Sequence, residues 1–143
     1  MDAKDRETSR VLIVDDEEVI RRLLKDYFNA CNIEADCAGG LSEAKAFLAE
    51  RRYTVVVSDL QLTEADTYDG FKVAAAVQET WPGTPVIMLT AHGSTSVEKE
   101  ARQTGVSFFL HKPTPLADIA QIVLGFIGGG SPTPRTPRSI PLP

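Results

Sequence analysis

Asp15 and Asp16, Asp59, Thr90 and Lys112 each close or directly follow a short apolar run in this 143-residue chain. Two carboxylates about 4 Å apart repel by roughly 4 kcal/mol at an effective dielectric near 20. Three in one place therefore call for cations. Lys112 offsets one charge. A hard divalent ion with oxygen ligands offsets more, and Mg²⁺ suits a site with few carboxylates and positions left for water and phosphate. A carboxylate beside such an ion, an ammonium and a hydroxyl is a workable phosphoryl acceptor, because aspartate can act as a covalent nucleophile. Singly, these residues have ordinary roles: an acid after a strand caps a helix, Lys112 is a solvated lysine and Thr90 a turn residue. Their recurrence at four strand ends is what those roles leave unexplained.

The elements that must bring them together read as an alternation. Short β-branched runs (Val11–Val14, Ile33–Ala38, Tyr53–Ser58, Pro85–Thr90, Ser107–His111) are separated by amphipathic stretches. This is the pattern of a parallel sheet wrapped by helices. Four runs are apolar on both faces; the second is more polar and suits an edge. Val19, Ile20, Leu23, Leu24, Tyr27 and Phe28 predict one buried face of a first helix, opposite Arg21, Arg22, Lys25 and Asp26. Leu41, Ala44, Phe47 and Leu48 mark a second helix, and Phe71, Ala74, Ala75 and Val77 a third. A fourth, near Ser94 to Thr104, has only Val97 and Ala101 as an apolar seam and is expected to be loosely held. The fifth carries Leu116, Ile119, Ala120, Val123, Phe126 and Ile127. In such sheets ligands sit at the carboxyl ends of the strands, where the five candidate residues stand.

Composition bounds the rest. A 15.6 kDa chain with 43% hydrophobic and 24% charged residues is one globular domain's worth of sequence. No apolar run approaches the roughly 18–20 residues that span a bilayer, and the charged start is no secretory signal, so the expected location is cytoplasmic. A net charge of −5 argues against a surface that coats nucleic acid. Cys31 and Cys37, with only His92 and His111, make no zinc spacing and read as unpaired thiols. Residues 1–9 are expected to be flexible and 10–127 to form the domain. The stretch 128–143 holds three consecutive glycines, five prolines, two arginines and no acid, and reads as a disordered tail or linker.

Val11-Leu-Ile-Val-Asp-Asp-Glu-Glu18, Val57-Ser-Asp-Leu60, Val86-Ile-Met-Leu-Thr-Ala91 and Phe109-Leu-His-Lys-Pro113 resemble the receiver domain of two-component response regulators, over roughly residues 10–127. The resemblance implies a flavodoxin-like, doubly wound α/β fold: five parallel strands in the order 2-1-3-4-5, with five helices. It implies that a histidine kinase or phosphotransfer protein phosphorylates Asp59. Mg²⁺ (or Mn²⁺) would be held by Asp16, by Asp15 through water, by Asp59 and by the backbone carbonyl of Gln61. Lys112 would contact Asp59 or its phosphoryl group, and Thr90 would donate its hydroxyl to a phosphoryl oxygen. Phe109 takes the aromatic switch position and would turn inward. Lys112–Pro113 would be a cis bond. The effector would read the face of helix 4, strand 5 and helix 5, and the chain would be a monomer or a phosphorylation-dependent dimer. Such a module is a signalling phosphoacceptor rather than an enzyme, with no membrane or direct nucleic-acid partner.

The chain departs from the family's pattern between Asp59 and Asp69-Gly70, where the intervening stretch is three residues longer and Thr63 stands where proline is expected. The loop either screens partners, with Glu64, Asp66 and Asp69 attracting cations, or is a tolerated insertion, since added loop length costs little entropy. His92 would tune phosphoryl lifetime or simply lie exposed; His111 reads as packed. A phosphorylation-independent binding module is one alternative. A haloacid-dehalogenase-type phosphatase is another, but it needs a second acid two residues after its nucleophile, and Asp59 is followed by Leu60 and Gln61. Flavin binding is disfavoured because Asp15-Asp16-Glu17-Glu18 would repel a phosphate. The Ser131-Pro, Thr133-Pro and Thr136-Pro steps fit a linker or a docking arm.

Overall fold

The computed structural model describes residues 9–60, 69–90, 95–112, 114–127 and 139–141. Strands β1 (Arg10–Val14), β2 (Glu34–Ala38), β3 (Val55–Asp59), β4 (Val86–Thr90) and β5 (Phe108–His111) alternate with helices α1 (Glu18–Ala30), α2 (Leu41–Glu50), α3 (Asp69–Thr80), α4 (Thr95–Gln103) and α5 (Leu116–Ile127). The five strands are parallel, in the expected order 2-1-3-4-5, and the polar β2 is the edge.

Alternate residues of each strand face opposite sides of the sheet, so two cores form. Leu12, Val14, Val56, Met88 and Phe109 pack with Ala44 and Leu48 of α2, Phe71, Ala74 and Val77 of α3 and Ala101 of α4. Val11, Ile13, Val57, Ile87, Leu89, Phe108 and Leu110 pack with Leu24 and Phe28 of α1 and with Ile119, Val123 and Ile127 of α5. Among residues 99–103 of α4 only Ala101 is buried, in keeping with its thin apolar seam. Asn32, in the left-handed region at φ 63°, closes α1 while the Ile33 N–H bonds the Phe28 carbonyl at 2.9 Å.

Two expectations are corrected. The predicted α1 face is twice too wide: Leu24 and Phe28 are buried, but Val19, Leu23 and Tyr27 are 67%, 45% and 37% exposed. Residues 20, 24 and 28 form one row along the helix and 19, 23 and 27 the next. A helix lying flat on a sheet has room to bury only one of them. The second correction is a sixth strand. Ser139–Pro141 (β6), within the stretch read as a disordered tail, pairs antiparallel with β5. Composition argued against a core in that stretch, but an open sheet edge needs only an extended backbone. Among the described residues no helix is long and apolar enough to cross a membrane.

Candidate functional site

Strand register sets the site. Val14 pairs with Ser58, so Asp15 and Asp59 stand at the same level on neighbouring strands. Asp59 pairs with Leu89 and Thr90 with His111, which puts Thr90 one step beyond Asp59 and Lys112 one step beyond Thr90. The Lys112 N–H donates to the Thr90 carbonyl at 2.7 Å, and the Leu60 N–H to the Leu89 carbonyl at 2.8 Å, which holds both strand ends in place. Two strand spacings, roughly 10 Å, separate β5 from β3, a gap that only a long side chain can bridge. The Lys112 Nζ lies 3.5 Å from Asp59 Oδ1 and 3.7 Å from Asp15 Oδ2. Gly70 lets α3 begin directly against this edge. A Cβ there would come within 2.5 Å of the Asp59 carbonyl oxygen and 2.6 Å of the Leu60 Cα, and its own N–H reaches the Leu60 carbonyl at 2.9 Å.

Burial makes the carboxylates costly to ionise. Asp59 is 7% and Asp15 1% exposed. Burial, against the pull of Lys112 and with repulsion from Asp15 and Asp16, pushes the Asp59 carboxyl up to about 6. Burial also raises Asp15, although the Glu17 N–H and Lys112 favour its charge. For Lys112, burial opposes the charge, but attraction from Asp15 and Asp59 outweighs it and holds the ammonium above its usual value. Asp15 Oδ1 accepts the Glu17 N–H at 2.9 Å, whereas its Oδ2 is buried with no hydrogen-bond partner among the described residues. The carboxylate oxygens of Asp15, Asp16 and Glu17 lie within 4.8 Å of one another. A buried orphaned oxygen beside exposed carboxylates, facing one ammonium, is a donor set that fits Mg²⁺ or Mn²⁺.

The structure thus brings together Asp15, Asp59 and Lys112, with Asp16 exposed at the rim and Thr90 buried at the end of β4. Gln61, Thr63, Glu64, Asp66, His92, Pro113 and residues 128–138 lie outside the described residues. Phe109 is fully buried, its ring edge-on to His111 at 5.4 Å between centroids, so the inward position is already taken. Two participants were missed in the sequence. Glu17 joins the carboxylate cluster, and Arg21 Nη1 donates to the Asp15 carbonyl at 2.6 Å. Glu17 could have been found by its adjacency; Arg21 looked like one of several charges on a solvated helix face.

The family model of the response regulator receiver domain matches residues 11–124. Over 106 residues, 74% of the chain, it is 38% identical to the transcriptional regulatory protein SrrA of Staphylococcus aureus, and over 114 residues, 80%, it is 32% identical to the response regulator protein PilR of Pseudomonas aeruginosa. The chain spans 42% and 25% of those two proteins. Among solved structures, the receiver domain of the Francisella response regulator 1452 superposes with a TM-score of 0.75 at 25% identity, covering 85% of this chain and 98% of that one. The beryllofluoride-activated NtrC4 receiver domain dimer gives 0.74 at 29%, covering 84% and 97%.

Proposed function

The chain belongs to the response regulator receiver domain family, and from that premise we propose that it takes a phosphoryl group onto Asp59 from a histidine kinase or phosphotransfer protein and signals through a conformational switch. The observation that supports this reading is the meeting of Asp59 with Lys112 and Asp15 at the carboxyl edge of the sheet. A carboxylate oxygen of Asp59 forms a bond to phosphorus as the P–N bond of the donor phosphohistidine breaks, and the electron pair leaves on the imidazole. Lys112 balances charge on the incoming group, and Thr90, at the neighbouring strand end, donates its hydroxyl to a phosphoryl oxygen. Asp15, Asp16, Asp59 and the Gln61 carbonyl would hold Mg²⁺ or Mn²⁺, which neutralises the phosphoryl oxygens; Glu17 joins them as a further candidate ligand.

The product adds about −1.5 to −2 charge beside Thr90. Because Phe109 is already inward in this structure, the switch acts by shifting a balance between two positions of that ring rather than by creating a new one. The readout face is α4, β5 and α5, where α4 is thinly anchored. A small phosphodonor with Mg²⁺ should place an acid-stable, base-labile label on the chain, one per molecule, and Asp59→Asn should abolish it. Label persisting at full stoichiometry in that variant removes Asp59 as the acceptor.

A further inference from the structure

The two edges of the parallel sheet are built differently. β2 carries Glu34 and Asp36, charges that discourage a foreign strand. β5 reads Phe-Phe-Leu-His and has no formal charge, the kind of edge that invites one. In the structure the chain itself covers β5: Phe108 stands opposite Pro141, Phe109 opposite Ile140 and Leu110 opposite Ser139. Eleven residues separate Ile127 from Ser139, a reach of up to about 36 Å when extended, so the segment can serve its own sheet. Pro141 lies in the new outer strand and Pro137 and Pro143 flank it, and proline gives a further strand no N–H to pair with. The arm that covers the sheet is thereby a poorer template for a further strand than β5 itself.

Three rungs are a short ladder, and ordering an arm rich in glycine and proline opposes it. We propose that the outer edge of β5 is a strand-docking site whose occupant is Ser139–Pro141 of the same molecule, held weakly enough that a free segment of the same sequence exchanges with it in the same antiparallel register. The site is independent of the phosphoacceptor reading, since it stands on the β5–β6 pairing alone.

The test uses the full chain with Ser139→Pro and Ile140→Pro together. With Pro141 these leave three consecutive residues that can donate no backbone hydrogen bond to β5. The outward-facing amides among Phe108–Leu110 should exchange with solvent at least about 10-fold faster in this variant than in the parent. Amides of β1 and β3 serve as the internal control for the rest of the fold. An eight-residue peptide with the sequence of 136–143 should slow those β5 amides again in the variant and bind the parent several-fold more weakly. Equal exchange in parent and variant overturns the proposal. So does a peptide that binds both chains alike or neither. So does a parent that is a dimer which the proline substitutions dissolve, because the strand would then belong to a second copy.

Discussion

The sheet carries two clusters of charge, one toward each end of its strands, and they are balanced in opposite ways. Toward the amino ends, Asp36 Oδ2 accepts the Tyr53 hydroxyl at 2.7 Å and faces the guanidinium groups of Arg10 at 3.4 Å and Arg51 at 3.5 Å, while Arg10 also pairs with Glu34. Two cations and a hydroxyl gather on one oxygen. At the carboxyl ends, Asp15 and Asp59 share one ammonium, Asp16 and Glu17 stand exposed beside them, and Asp15 Oδ2 has no hydrogen-bond partner among the described residues. Arg21 is close, but its contact is to a backbone carbonyl. One end is closed by counter-charge that the chain supplies. The other keeps a negative charge that, among the described residues, one ammonium offsets only in part, which is what the proposed Mg²⁺ site requires.

The sharpest way to break this comparison is to remove that charge. Asp15→Asn with Asp16→Asn should lower Mg²⁺ affinity at least about 100-fold, since even outer-shell partners of a metal site cost roughly 10–100-fold. Titration calorimetry reads it directly. Mg²⁺ should raise the melting temperature of the parent and leave that of the double variant unmoved. An unchanged affinity would mean that the acidic rim is surface charge of no special kind.

Next in size is the effect of Asp59 on stability in the absence of divalent cation. Its carboxyl is raised from 3.8 to about 6, so between those values the folded state binds the proton that the unfolded state has released. The stability contributed by neutral Asp59 is therefore fully present below about pH 4 and is lost as pH rises to about 6, by at most about 3 kcal/mol. Asp59→Asn, which cannot ionise, should be the more stable protein above about pH 7 and should lose that advantage on acidification. Denaturant midpoints across pH measure it. A difference between parent and Asp59→Asn that does not change through this window would refute the idea that ionised Asp59 is strained.

Much of this was legible in the sequence because the reactive residues sit directly after apolar runs, and parallel strands deliver consecutive run-ends to the same edge. Asp15, Asp59, Thr90 and Lys112 needed no tertiary information beyond that. The reason for Gly70 did need it. An Asp-Gly pair marks the position, but only the approach of α3 to the Asp59 carbonyl says why no side chain fits. The outer row of α1 misled because hydrophobic periodicity gives the direction of a buried face and not its width. β6 was hidden because its stability comes from an edge elsewhere in the chain. The Asp36 cluster left no local trace: Arg10, Asp36, Arg51 and Tyr53 meet only once β1, β2 and β3 are paired.

The smallest expected effect belongs to that closed cluster, and it tests the other half of the comparison. Asp36→Ala leaves two partly exposed guanidinium groups and one buried hydroxyl without their shared acceptor. Surface ion pairs contribute roughly 0–1 kcal/mol, and a buried hydroxyl stripped of its partner adds about 1 kcal/mol, so the variant should lose roughly 1–2 kcal/mol. Mg²⁺ affinity should stay within error of the parent, because the two clusters lie toward opposite ends of the strands. Tyr53 supplies a second readout. Burial raises its phenol, and the hydrogen bond to Asp36 raises it further, so it should ionise at lower pH in Asp36→Ala than in the parent. The raised phenol is neutral well above physiological pH, so the stability loss in the variant comes from broken contacts and not from a titrating group. If Asp36→Ala instead weakened Mg²⁺ binding as strongly as the loss of Asp15 and Asp16, the two ends would be one coupled network, and the division between a closed and an open cluster would fail.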